Sequence, residues 1–303
     1  MEYFIQKKYK IYNFDIRQPQ NKKHQKYWHK VNLSNYSALS ILLQKIQPQY
    51  IVHLAAKADL NGKEDKDYDI NIKSVKNIIK FCRENGNIIR VIFASTMLVN
   101  QTGYKSNGIL NHNANTLYGK SKAIGENEVL NNKDLFTDLC IIRPTSIWGE
   151  WFNEPYKNFF DFVLSGKYFH PGNNSCKKTF GYVGNTVFQI DKLLFADSHK
   201  VRNKIFYIGD NPPVNISKWA DEIAIQAKVR KPRKIPLFIF RLLAVSGDLI
   251  TKLGIKFPMT SYRLRNMTTD QIHNLNDIYS ICENLPYDRK TGIKKTLKWI
   301  SDN

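Results

Sequence analysis

Tyr118 and Lys122 stand at i and i+4 in Tyr118-Gly119-Lys120-Ser121-Lys122, a spacing that sets both side chains on one face of a helix. A phenol titrates near pH 10, too high for acid–base work at neutrality. A lysine ammonium beside it favours the phenolate and brings its pKa toward working pH. Alone the pair carries no weight. The chain has 16 tyrosines and 46 basic residues, enough for chance to supply about two Tyr–Lys pairs at this spacing, and the other is Tyr3 with Lys7. Context changes this, because Ser95-Thr96 closes the apolar run over 88–94. Open α/β sheets bind ligands at the carboxyl edge of their strands, where a hydroxyl can hold a substrate oxygen whose proton Tyr118 takes or gives. The runs over 51–56 and 139–143 end in small residues and in Arg143-Pro144 at the same edge.

The elements that must position these groups follow from hydrophobic spacing. Residues 11–15 read as a short strand ending on Asp15. Ser34 is expected to cap a helix carrying Leu39, Leu42, Leu43 and Ile46, stopped by Pro48. Residues 50–56 are an apolar run of strand length, and 67–84 carry Ile70, Ile72, Val75, Ile78, Ile79 and Cys82 at helical spacing. Strands over 88–94 and 139–143 and a helix over 117–130 follow. Strands without polar alternation, separated by helices, mean a parallel sheet covered on both faces. The expected class is α/β, doubly wound. Beyond Pro144 glycines, prolines and aromatics thicken, helices over 185–195, 216–228 and 236–252 alternate with a short strand over 204–208, and a sheet domain over 1–150 gives way to a smaller lid region over 151–303.

Composition narrows the function classes. The 303 residues are 42% apolar with 24% charged and a mean hydropathy of −0.44. No uncharged apolar run is long enough for a membrane span, and the N-terminus lacks the pattern of a secretory signal. Four dispersed cysteines without a CxxC pair exclude a zinc knuckle and a disulfide framework, leave no metal site, and fit a reducing, cytoplasmic setting. The net charge of +20 is spread along the chain, with local clusters only near 22–30, 230–234 and 294–298. A nucleic-acid binder concentrates its charge beside stacking aromatics or a recognition motif, and neither is found. An anionic small substrate is expected, with weak attraction to an anionic membrane surface left open.

In order along the chain come Asp15, His53-Leu54-Ala55-Ala56, Asn71 within Asp-Ile-Asn-Ile-Lys-Ser-Val-Lys-Asn, Phe93-Ala94-Ser95-Thr96, Tyr118 to Lys122, Arg143-Pro144-Thr145-Ser146-Ile147-Trp148-Gly149, Lys178 to Val183 and Tyr207-Ile208-Gly209-Asp210. This series resembles an extended short-chain dehydrogenase/reductase of the NAD-dependent nucleotide-sugar epimerase/dehydratase kind over nearly the whole chain, with a Rossmann-like sheet. The resemblance implies that Tyr118 exchanges the proton, that Lys122 tunes it while bonding the nicotinamide ribose, and that Thr96 holds the reacting sugar oxygen, with Ser95 as its stand-in. Asp15 would bond the adenosine ribose, favouring NAD, while Arg17 would suit the 2′-phosphate of NADP. Asn32 stands where the family has an acidic adenine contact. Leu54, Ala55, Ala56, Asn71 and Pro144 would line the cofactor channel. Ser146 would face the substrate, and Lys178 and Arg265, with Arg263 more weakly, would meet the diphosphate of a nucleotide sugar or else be solvated surface charge. The family also implies a homodimer through the helices near 67–84 and 117–131. Met97-Leu98 stand where dehydratases carry an acid and a base, which favours an epimerase or reductase, with surface-polysaccharide synthesis as the setting.

The glycine-rich phosphate loop of that family has no counterpart, since no glycine precedes Gly62. Residues 1–10 read as the tail of the first crossover helix, so the first strand is expected to be missing. Either the start lies upstream of Met1 or the chain is a decayed relative that binds dinucleotide poorly. Two other classes stand beside the enzyme reading: a non-catalytic relative that folds and pairs without turnover, and a basic nucleic-acid adaptor.

Overall fold

The computed structural model describes residues 1–104, 106–172, 176–255 and 257–303. In chain order the elements are α1 (Glu2–Gln6), β1 (Asn13–Asp15), β2 (Trp28–Lys30), α2 (Tyr36–Ile46), β3 (Tyr50–His53), α3 (Asp69–Glu84), β4 (Arg90–Ala94), α4 (Leu117–Leu130), β5 (Asp138–Pro144), β6 (Ser146–Trp148), α5 (Tyr156–Leu164), β7 (Phe169–Pro171), β8 (Lys177–Lys178), β9 (Phe180–Tyr182), α6 (Val183–Phe195), α7 (Ser198–Val201), β10 (Ile205–Ile208), β11 (Val214–Asn215), α8 (Ile216–Gln226), β12 (Arg233–Ile235), α9 (Leu237–Lys252), α10 (Ser261–Thr268), α11 (Asn276–Tyr279) and α12 (Arg289–Asp302). Two compact units result. The first holds Met1–Gln101, Ser106–Arg143 and Ile190–Phe206, and the second includes Pro144–Gln189 and Tyr207–Asn303.

The first unit is built on a parallel sheet with helices on its faces, a Rossmann-like α/β fold. Strands run β10-β5-β4-β3, and Val91 and Ile92 at the centre of β4 are fully buried, as a strand covered on both faces requires. Arg90, at the start of β4, is buried as well. It donates to the carbonyls of Leu193 (2.7 Å) and Leu194 (2.8 Å) at the end of α6 and to Asp138 Oδ2 (2.8 Å), satisfying carbonyls that a helix end leaves unpaired. β1 and β2 form a separate parallel pair. In the doubly wound strand order a central strand lies between β1 and β3; among the described residues neither β1 nor β3 has a partner on that side. α1 packs on α6 instead: Tyr3 and Lys7 both donate to Asp191 Oδ2, at 2.9 and 2.7 Å, and Tyr9 stacks on Phe195. The second Tyr–Lys pair of the sequence is therefore a structural clasp.

Two expectations are corrected, and one element is added. The cap of α2 is Asn35, whose side chain accepts from Ala38 N–H at 3.1 Å; Ser34 is held one residue earlier in a turn closed by Asn32 Oδ1. β3 stops at His53 rather than Ala56, because the chain beyond it turns to the Asn71 side chain for its hydrogen bonds. β2 was not expected. Trp28-His29-Lys30 has no apolar run to announce a strand, and its pairing with β1 is what makes it one. In the second unit an aromatic core joins Trp148, Phe160, Tyr182 and Trp219, so Trp148 is a packing residue, and α9 lies against α10.

Candidate active site

Thr96 follows β4 and caps the single helical turn Met97–Val99, its Oγ1 accepting from Leu98 N–H at 3.2 Å. The Thr96 side chain stands near enough to the Tyr118 phenol to lower its pKa. α4 reaches this turn because of Gly119, where a Cβ would lie 2.2 Å from the Leu98 carbonyl oxygen. Any other residue at position 119 would push Tyr118 away from Thr96. Thr116 caps the helix by accepting from Gly119 N–H at 3.0 Å.

Burial raises the Tyr118 pKa above its ordinary value; Thr96 opposes this and the neighbouring Tyr68 adds to it. Lys122 is not among the groups that move the phenol. The Lys122 charge acts on His53 and Glu126 instead. Lys122 is 4% exposed and forms no hydrogen bond or ion pair among the described residues, and burial brings its pKa down to about 8, against the pull of Glu126. An ammonium in that position needs acceptor oxygens. His53 is buried with Nε2 3.0 Å from Ser74 Oγ and stays neutral: burial and the Lys122 charge push its pKa down to about 3.

Beneath the helix lies a buried ion pair that no sequence feature announced as a unit. Arg143 at the end of β5 is fully buried and donates from Nε to Glu126 Oε1 (2.8 Å) and from Nη2 to Glu126 Oε2 (2.6 Å). Arg143 Nη2 also donates to the Ile109 carbonyl (2.8 Å), and His112 Nε2 lies 2.8 Å from Glu126. Burial would raise the Glu126 pKa, but the bonds from Arg143 and His112, together with Ser95, hold it below the ordinary carboxylate value. The pair ties α4, one turn beyond Lys122, to the sheet edge. Glu126 at i+4 from Lys122 was the one available signal.

The residues assigned to the dinucleotide divide. Ser95 is buried beside Glu126, under Thr96. Asn71, expected to line the cofactor channel, is fully buried, with Oδ1 accepting from Lys57 N–H (2.8 Å) and Nδ2 donating to the Lys57 carbonyl (3.1 Å) and Ser121 Oγ (3.0 Å). It braces the 54–57 loop against α4. Leu54 is exposed and Ala55 and Ala56 are half-buried on that loop. Asp15 Oδ1 accepts from Arg17 N–H at 2.8 Å, which leaves its second oxygen for a ribose. The Asn32 carbonyl oxygen is taken by Ser34, at 3.0 Å from N–H and 2.8 Å from Oγ, so only its amide remains for a base. The nicotinamide end therefore fits a dinucleotide, with the unpartnered Lys122 ammonium as the deciding observation. A backbone cradle for a pyrophosphate needs glycines at a strand-to-helix turn, and the described residues hold no glycine before Gly62.

The other assigned residues lie in the second unit. Pro144 is half-buried at the end of β5. Ser146 is buried on β6, its Oγ accepting from Tyr156 OH at 2.6 Å. Lys178 on β8 is half-buried and burial lowers its pKa, against Cys176 and Asp270. Arg265 is exposed on α10, and no hydrogen bond or ion pair joins it to Lys178 among the described residues. Cys140, fully buried on β5, has its thiol pushed up to about 12 and is unreactive.

The model of the 3-beta hydroxysteroid dehydrogenase/isomerase family matches residues 3–239. The chain is 28% identical over 242 residues to an N-acetyl-alpha-D-glucosaminyl-diphospho-ditrans,octacis-undecaprenol 4-epimerase of Escherichia coli O157:H7, covering 77% of this chain and 71% of that protein. It is 24% identical over 300 residues to a decarboxylating sterol-4-alpha-carboxylate 3-dehydrogenase of Saccharomyces cerevisiae, covering 91% and 83%. Among solved structures it is similar to the UDP-glucose 4-epimerase of Thermotoga maritima with UDP-glucose (TM-score 0.75, 13% identity, 99% of this chain and 94% of that one). The dTDP-glucose 4,6-dehydratase of Bacillus anthracis in complex with NAD gives a TM-score of 0.73 at 18% identity, covering 100% and 92%.

Proposed function

The chain belongs to the 3-beta hydroxysteroid dehydrogenase/isomerase family, within the extended short-chain dehydrogenase/reductases, and on that premise we propose that it oxidises and re-reduces a carbinol carbon of a diphosphate-linked sugar, as an epimerase or reductase of surface-polysaccharide synthesis. The observation that carries this is the Thr96 hydroxyl against the Tyr118 phenol at the carboxyl edge of β4, with the unpartnered Lys122 ammonium one turn along α4. A nicotinamide dinucleotide, when bound, supplies the hydride acceptor. Thr96 holds the sugar oxygen and Tyr118 takes its proton, while Lys122 meets the nicotinamide ribose hydroxyls and, with those satisfied, offers its charge to the phenolate. Asp15 disfavours a 2′-phosphate and so selects NAD over NADP. Met97 and Leu98 after Thr96 offer neither the acid nor the base that a dehydratase needs.

Lys178 and Arg265 are the cations for the diphosphate, and Lys178, half-buried with its pKa lowered, has the stronger need of an anion. The sheet domain over 1–150 holds the cofactor and 151–303 the sugar. The enzyme works in the cytosol, as four free, buried cysteines favour. It pairs as a homodimer through α3 and α4, where Ile124 is the exposed apolar residue of α4. Incubation with NAD and a panel of nucleotide and polyprenyl-diphosphate sugars, followed by product mass and NADH absorbance, tests the reading. Turnover of a sugar supports it. Oxidation of a 3β-hydroxysteroid with every sugar left unchanged would replace the substrate class.

A further inference from the structure

The outer face of α9 is apolar where a water-facing helix carries polar residues. Phe238, Leu242, Val245, Leu249 and Leu253 follow one another at spacings of four and three along α9 and its C-cap, and each is 58–78% exposed. They form one continuous stripe about 22 Å long at 1.5 Å per residue. The inner face is fully used. Phe240, Ala244 and Gly247 are buried, and a Cβ at Gly247 would sit 1.8 Å from the Met259 carbonyl oxygen, so the helix cannot roll to hide the stripe. Single exposed apolar residues are ordinary, whereas a contiguous stripe marks a surface that meets something.

The charge around the stripe says what it meets. Between residues 229 and 269 the sequence holds nine basic residues against one acid, Asp248, and Asp248 is engaged by Ser261 N–H at 3.0 Å. Arg233 and Lys234 are exposed just before α9, Arg241 and Lys252 on it, and Arg263 beyond it. A second copy docking face to face would set this positive field against itself. α9 has 16 residues, and no described helix is long and apolar enough to cross a membrane. A basic, apolar-faced helix of this length lies in the plane of a bilayer interface.

We propose that α9 is a membrane-docking surface, its Phe238–Leu253 stripe inserted at the headgroup boundary of an anionic phospholipid bilayer with the flanking arginines and lysines on the headgroups. The proposal is independent of the catalytic reading and is tested without substrate. The full chain is sedimented with sucrose-loaded vesicles of phosphatidylcholine alone and of phosphatidylcholine with one-third phosphatidylglycerol. The expected result is at least about tenfold more binding to the anionic vesicles, falling steeply with salt. Leu242→Ser with Leu249→Ser should lower that binding at least about tenfold, and Arg233→Gln about fivefold, with melting temperatures unchanged because all three positions are exposed. Equal binding to both vesicle types, or anionic binding unaltered by the double substitution, overturns the proposal. So does a dimer in sedimentation velocity that the double substitution splits while vesicle binding persists.

Discussion

Two regions of the first unit, a few strands apart, are built to different completeness. Around β4 and α4 most buried polar groups pair: Asn71 braces Lys57 and Ser121, and Glu126 closes on Arg143 and His112. Lys122 forms no hydrogen bond among the described residues, and Ser95 Oγ and Arg90 Nε are likewise without a partner. Around β1, β2 and the free edge of β3 the sheet is in two pieces, and the residues placed there for the cofactor, Asp15 and Asn32, spend part of their hydrogen-bonding capacity on local turns. The difference teaches that the proton chemistry and the cofactor's anchorage are separable properties of this fold, because different elements build them.

The largest effect expected is on the complete side. Tyr118→Phe removes the proton path while leaving α4 in place, and turnover should fall about 10²–10⁴-fold. Turnover within a few-fold of the parent would break the comparison at its stronger end. Glu126→Gln leaves the buried Arg143 charge without its counter-ion, and chemical denaturation should register a loss of about 3–5 kcal/mol.

Lys122 gives a pH-dependent test. Folding lowers its pKa from 10.5 to about 8. Below pH 8 the folded state carries the full penalty of the buried charge. That penalty shrinks as pH rises through 8 and is gone near 10.5, where both states are neutral. Lys122→Met should therefore stabilise the cofactor-free chain by up to about 3 kcal/mol at pH 7, with the gain fading toward pH 10. A gain that grows with pH would contradict the burial account. On the incomplete side the effects are small. Asn35→Ala should cost about 1 kcal/mol through loss of the α2 cap, and Ser34→Ala less, since Ser34 only decorates the turn made by Asn32.

Legibility in the sequence follows the same division. The strands at β4 and β5 and the helix α3 were readable because they bury continuous apolar runs or a regular stripe, whereas α4 buries mostly small and polar residues. Thr96, Tyr118 and Lys122 were readable because helical spacing and a strand end suffice to place them. β2 was not, since Trp28-His29-Lys30 becomes a strand only through its partner. The ion pair of Arg143 with Glu126 was not, because burial of a charge depends on residues seventeen positions apart meeting in space. The bonds of Asn71 to Lys57 and Ser121 were not legible for a related reason: its motif fixes where it stands, while the loop it faces decides what it bonds. Burial raises the Tyr118 pKa, an effect of the folded surroundings that helical spacing alone does not carry.

The central claim of the proposed account is that Lys122 meets the nicotinamide ribose, while among the described residues no glycine-rich turn cradles the pyrophosphate. Titration calorimetry of the chain with nicotinamide mononucleotide and with NAD tests it most directly, repeated on Lys122→Met. The account predicts that NAD binds within about tenfold of the mononucleotide, since the added adenosine half finds only Asp15 and Asn32, and that Lys122→Met weakens both ligands alike. NAD binding about a thousandfold tighter than the mononucleotide, or undiminished in Lys122→Met, would contradict it.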